Sequence, residues 1–159
     1  MNSARGVAAE RDELKIVDDQ LGAPTCAADL AKATTKILAG IIANGSGRPT
    51  QAGLSGTYHM TASGQTNWYE FSKIILEEAA RAPHDLPWLA ALTTGRPLIA
   101  RRVVPISTAE FGSRTVRPPY SVLCNARLKE AFGVALPDWR TQLQKCFSAE
   151  RVFFPTTPQ

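Results

Sequence analysis

A chain of 159 residues, 44% hydrophobic and 20% charged, has the make-up of an ordinary globular domain and excludes a low-complexity or disordered chain. No apolar run approaches the ~20 residues of a membrane helix. The three cysteines, Cys26, Cys124 and Cys146, form no Cys-x-x-Cys pair and lie far from His59 and His84, which argues against a zinc site or disulfide framework and for small buried thiols.

The net charge of +4 is uneven. Residues 1–80 hold 7 Lys/Arg against 9 Asp/Glu, and residues 81–159 hold 11 against 5. A basic second half suits a phosphorylated ligand, or is simply a solvated basic face. No basic block is longer than Arg101-Arg102 and no nucleic-acid motif occurs, so neither nucleic acid nor a membrane is an expected partner. Arg5, Arg11 and Ser3 give the N-terminus a faintly transit-like look. Glu10, Asp12 and Glu13 oppose it, and no apolar signal core is present, so the expected compartment is the cytoplasm.

In chain order, "VAAERDEL" (7–14) reads as the end of a helix, since it holds good helix formers and no breaker. "KIVDD" follows as a short strand, stopped by Gly22 and Pro24. In "CAADLAKATTKILAGII", Leu30, Ala33, Ile37 and Ile41 recur at spacings of three and four, which predicts an amphipathic helix with Thr25 as N-cap. "ANGSGRPTQAGLSG" (43–56) is a loop within one continuing α/β alternation. "GTYHMTAS" (56–63) alternates as a strand, with Tyr58 and Met60 on one side.

A helix is predicted from Trp68 to about Ala82. It opens on a capping box of Asn67 and Glu70, carries the stripe Trp68, Phe71, Ile75 and Ala79, and ends at Pro83. "ARRVVPIS" reads as a strand, and "GSRTVRPPYSVL" as extended because of Pro118 and Pro119. "NARLKEAFG" is a helix capped by Asn125 and closed by Gly133. The last helix starts at Asp138 and places Trp139, Leu143 and Phe147 on one face. "FFPTTPQ" is a frayed tail.

Three groups of residues could carry chemistry. Tyr69 and Lys73 have the Tyr-x-x-x-Lys spacing of short-chain dehydrogenases, in which the ammonium lowers the phenol pKa for proton relay. The chain has no G-x-G-x-x-G or related Gly-rich turn to hold a nicotinamide dinucleotide, so the pair reads as two solvated side chains. Asp18 and Asp19 form a carboxylate pair without a third oxygen ligand at fixed spacing, which weakens a metal reading. Arg117, in "RPPYS", is a guanidinium on a Pro-stiffened segment. It suits a diphosphate or carboxylate clamp, or equally packs along its stem and bonds loop carbonyls.

The segments "VDDQLGAPT" (17–25), "DLA" (29–31), "GTYHMTASGQTNWYEFSKIILEEA" (56–79), "RPPYSVL" (117–123) and "LPDWR" (136–140) together resemble the dTDP-4-dehydrorhamnose reductase family of extended short-chain dehydrogenases/reductases. Their order matches that family's C-terminal half, from about residue 8 to about 148, with 149–159 as a tail. The resemblance implies an α/β fold consisting of the C-terminal substrate lobe plus the last strand and helix elements of a Rossmann-type fold. The N-terminal dinucleotide-binding half is absent, and 1–159 is a single partial domain. It places the true catalytic dyad in that absent half, so no catalytic, cofactor-binding or metal residue is expected here.

It also implies reduction of dTDP-4-dehydro-L-rhamnose to dTDP-L-rhamnose with NADPH or NADH, often with Mg2+, whose sites lie outside this chain. The substrate-binding candidates are Arg117, then Gln20 and Ser121. Cys124 stands where the family often has Asp, and Val122 where Arg is common. A truncated or split reductase, inactive alone and complemented by a separate N-terminal half or acting as a homodimer, is the expected function. The alternative is a non-catalytic nucleotide-sugar-binding or regulatory module derived from the same fold.

Overall fold

The protein is described by a computed structural model over residues 10–43, 54–82, 89, 96–113 and 115–148. Its Cα positions divide into two compact units. One is drawn from residues 1–21, 67–119 and 144–159, the other from 22–66 and 120–143.

The first unit is built on two parallel strands, β1 (Glu13–Val17) and β4 (Arg102–Ile106), in register from Glu13 opposite Arg102 to Val17 opposite Ile106. The ladder extends at both ends. The Arg102 amide donates to the Asp12 carbonyl at 3.2 Å, and the Asp18 amide to the Ile106 carbonyl at 3.0 Å. Helix α2 (Trp68–Arg81) packs against both strands. Asn67 caps it in an extended conformation, its side-chain oxygen accepting the Glu70 amide at 2.7 Å, as the sequence predicts. Ala79 of the predicted stripe is buried, but Trp68 is 51% exposed and does not anchor the helix. A short helix that the sequence reading does not anticipate, α3 (Thr108–Phe111), follows β4. A capping box between Ser107 and Glu110 opens it and Gly112, in the left-handed region at φ 65°, closes it.

The second unit is mostly helical. Helix α1 (Ala27–Ala43) and helix α4 (Ala126–Phe132) belong to it, with the first part of α5 (Trp139–Ser148). Ala33, Leu128 and Leu136 form the buried cluster, with Leu30, Ile37, Tyr58, Met60, Phe132 and Val134 packed around it. Gln142 is only 2% exposed and fully employed: its oxygen accepts the Cys26 amide at 2.7 Å and its nitrogen donates to the Pro137 carbonyl at 2.8 Å. Burial without such partners would be costly. The two-residue strands β2 (Leu21–Gly22) and β3 (Thr66–Asn67) pair with each other.

Several expectations are corrected. Glu13 and Leu14 are not helical but lie in β1, because pairing with β4 outweighs local helix propensity. Residues 57–62 form no strand among the described residues. The predicted alternation survives, with Tyr58 and Met60 facing the core, but side chains take the place of a ladder. Asn125 accepts the Thr61 amide (3.1 Å) and donates to its carbonyl (2.8 Å), and the Thr25 hydroxyl accepts the Ala62 amide (2.9 Å).

Thr25 and Asn125 are thereby diverted from the helix-capping roles predicted for them. α4 begins without a side-chain cap, although Gly133 does close it at φ 64°. Asp138 caps α5 as predicted, accepting the Arg140 amide at 2.9 Å. The cysteines are less enclosed than expected: Cys124 is exposed and the other two are half-buried. Pro83, most of the 43–56 loop and the 149–159 tail lie outside the described residues.

Candidate substrate-binding surface

A hydrogen-bonded polar cluster of the first unit lies at the carboxyl ends of β1 and β4, the side on which open α/β sheets bind ligands. β1 delivers Asp18, Asp19 and Gln20, and β4 delivers Ser107 and Thr108. The Asp19 carboxylate accepts the Thr108 amide at 2.9 and 3.1 Å and the Thr108 hydroxyl at 2.5 Å. The Gln20 side-chain nitrogen donates to the same hydroxyl at 2.9 Å. The Asp18 carbonyl accepts the Asn67 side-chain amide at 2.9 Å.

These bonds hold the Asp19 carboxyl below the usual carboxylate range, the Thr108 hydroxyl contributing most and its amide next. Glu110 is held low likewise, first by the Ser107 amide and then by its hydroxyl. The cluster keeps two anions ionised and fixes a turn. Asp19 is therefore structural, and Asp18 is exposed. Among the described residues no group of three His, Cys, Asp or Glu could hold a metal ion.

Gln20 is half-buried, its nitrogen committed to Thr108. Arg117 is exposed and makes no hydrogen bond or ion pair among the described residues. Its segment is anchored two residues on, where the Pro119 carbonyl accepts the Leu21 amide at 2.8 Å. Both residues belong to the first unit, whereas Ser121 belongs to the second. The Ser121 hydroxyl lies 3.1 Å from where a Cβ on Gly22 would stand, so any larger residue at 22 would have to displace it.

Two neighbours that the sequence reading did not single out accompany Ser121 in the second unit. Tyr120 is exposed, its hydroxyl 3.4 Å from the Gln65 side-chain oxygen, and the Gln65 carbonyl accepts the Trp139 indole N–H at 3.1 Å. Gly64 holds that loop at φ 76°, and a side chain there would collide with the Asp138 carboxylate. "SGQT" before a capped helix was the signal available for this loop. Tyr69 and Lys73 sit on α2, the ammonium 6.0 Å from the ring centroid, with Lys73 exposed.

A family model described as the RmlD substrate binding domain matches residues 3–152. The chain belongs to this family. It is 41% identical over 140 residues to a dTDP-4-dehydrorhamnose reductase of Burkholderia thailandensis, covering 88% of this chain and 43% of that one. To the Escherichia coli K12 reductase it is 33% identical over 139 residues, covering 87% and 40%.

A crystal structure of the Bacillus anthracis reductase in complex with NADP superposes with a TM-score of 0.63 at 29% identity, over 89% of this chain and 40% of that one. The chain thus spans well under half the length of these relatives and fits a C-terminal part of a Rossmann-like reductase fold. Tyr69–Lys73 has no Gly-rich cofactor turn near it in the sequence. No helix of the described residues is long and apolar enough to cross a membrane.

Proposed function

We propose that this chain is the substrate-binding portion of a dTDP-4-dehydrorhamnose reductase and that it does not turn over alone. The observation that carries this reading is the family match over residues 3–152. The likeness to curated reductases supports it, as does the fraction of their length left unspanned. The complete enzyme reduces the 4-keto group of dTDP-4-dehydro-L-rhamnose to give dTDP-L-rhamnose. NADPH or NADH, held by residues outside this chain, supplies the hydride, and we place the reaction in the cytoplasm.

This chain's share is to bind and orient. Arg117 grips the diphosphate of the dTDP-sugar: its guanidinium is exposed, uncommitted among the described residues, and carried on a backbone that Pro118 keeps extended. Gln20 offers its side-chain oxygen to the same ligand, the nitrogen being held by Thr108, and Ser121 is the substrate-binding candidate of the second unit. Tyr69 and Lys73 take no part in proton transfer.

The proposal is tested by titrating dTDP-L-rhamnose into this chain joined by the portion of the Burkholderia thailandensis reductase that it does not span. Arg117→Lys keeps the charge but loses the bidentate fork. It should weaken binding roughly tenfold with unchanged melting temperature, about the worth of one charge-assisted hydrogen bond. Equal affinities with a lowered melting temperature would make Arg117 a structural residue.

A further inference from the structure

Two tryptophans lie among the described residues, and only one has its bonding and packing met. Trp139 is 3% exposed, its indole N–H donates to the Gln65 carbonyl at 3.1 Å, and the Arg140 guanidinium lies 4.7 Å from its ring centroid. Trp68 is 51% exposed, and its indole N–H has no partner among the described residues. Tryptophan is on average a highly buried residue, so the half-exposed ring is the one that requires a reason.

The first unit supplies one. Trp68 is the first residue of α2, but Asn67 makes the cap and Ala79 is the buried member of the stripe. Asn67 also fixes where Trp68 stands, because its side-chain nitrogen donates to the Asp18 carbonyl at 2.9 Å, just past the carboxyl end of β1. Two residues beyond Asp18 is Gln20, its nitrogen held by Thr108. At Leu21 the amide donates to the Pro119 carbonyl, which ties the segment carrying the exposed Arg117 to the same stretch. Residues 18–21 span at most about 14 Å of chain. An indole, a carboxamide oxygen and a guanidinium are therefore gathered along one short edge of this unit.

We infer that the Trp68 ring is the platform on which the thymine of the dTDP-sugar stacks, which makes Trp68 a specificity-determining residue for the nucleotide. The inference rests on the proposed function and adds the part of this chain that reads the base. A nucleoside diphosphate has a flat π face at one end and anionic phosphates at the other, and an aromatic ring and a guanidinium match those two ends. The polar neighbours of Trp68 favour a base over a sugar ring. Both side-chain groups of Asn67 are spent, on Asp18 and on Glu70, and Asp19 and Thr108 are spent on each other. A sugar needs hydrogen-bond partners for its hydroxyls, whereas a stacked base needs only the face of the ring.

The test combines this chain with its companion portion, the part of the Burkholderia thailandensis reductase that it does not span, and titrates ligands by calorimetry. Trp68→Ala should weaken binding of dTDP and of dTDP-L-rhamnose roughly tenfold or more, about the worth of one base on an aromatic ring. Trp68→Phe keeps a ring and should stay within about threefold of the wild type. L-rhamnose 1-phosphate, which has no base, should bind all three proteins alike, and their melting temperatures should agree. In the wild-type pair, which needs no variant to fold, dTDP should quench the tryptophan fluorescence, and Trp68→Phe should remove most of that quenching.

Unchanged dTDP affinity in Trp68→Ala would overturn the inference. A loss that falls equally on L-rhamnose 1-phosphate would also overturn it, by taking the base off the ring. So would a loss that comes with a lowered melting temperature and that Trp68→Phe does not restore, which would make Trp68 structural. A dimer of this chain that Trp68→Ala dissociates would overturn it as well. A pair that binds dTDP-L-rhamnose but ignores Trp68→Ala defeats the stack and leaves the proposed function standing. A pair that needs Trp68 for dTDP yet oxidises no NADPH with the keto sugar does the reverse.

Discussion

The two units differ in how far each completes its own structure. The second closes on itself. Ala33, Leu128 and Leu136 are buried under a shell of apolar side chains, and the interior amide of Gln142 has partners for both its oxygen and its nitrogen. The first has a two-stranded parallel sheet, a kind of sheet that ordinarily occurs with more strands and both faces covered. Pro105 leaves the outer side of β4 without one N–H, and the outward groups of β1 have no partner among the described residues. The second unit therefore buries a core of its own, whereas the first is built on two paired strands among the described residues.

The contrast can be broken most sharply in the second unit. Leu128→Ala removes the centre of its buried cluster and should cost about 2–5 kcal/mol in denaturant unfolding. The β1–β4 amides should hold their exchange rates when this is followed by hydrogen exchange. Loss of protection in both units together would mean that they unfold as one.

Gln142→Leu keeps the volume but strands the Cys26 amide, while the Pro137 carbonyl keeps the Ser63 amide as a donor. It should cost about 1–3 kcal/mol for the amide left unsatisfied. A neutral result would mean that water reaches that amide. In the first unit, Asn67→Ala removes the cap of α2 and should cost about 1 kcal/mol, restored in large part by Asn67→Asp.

The smallest effect concerns acid. The Asp19 and Glu110 carboxyls are held below their ordinary range by Thr108 and Ser107. A depressed folded-state pKa contributes stability that is fully present above the unfolded-state value and is lost as pH falls through the folded one. The α3 amides should therefore begin to lose protection from about pH 4 downward. Asp19→Asn should flatten that acid limb. An unchanged limb would mean that the Asp19–Thr108 bonds add nothing to stability.

Helices with local signals were legible in the sequence. α2 was announced by Asn67, α4 by its closing Gly133 and α5 by Asp138, all within the chain's own neighbourhood. What depended on distant partners was not. Glu13 and Leu14 have the local propensity of a helix and become strand only because Arg102 and Val103 lie opposite. Residues 57–62 have the alternation of a strand, yet the Thr61 and Ala62 amides are met by Asn125 and Thr25, which no pattern in the segment itself could reveal. The site was legible only in outline. Arg117 is exposed, and Gln20 is tied to Thr108, 88 positions away in the chain. Tyr120 and Gln65 met through folding rather than spacing.

The most direct measurement of the central claim is oxidation of NADPH in the presence of dTDP-4-dehydro-L-rhamnose. It would be followed for this chain alone, for the companion portion alone, and for the two together. Turnover should appear only in the mixture, and Tyr69→Phe in this chain should leave it unchanged. Substrate-dependent oxidation by this chain alone, abolished by Tyr69→Phe, would contradict the account.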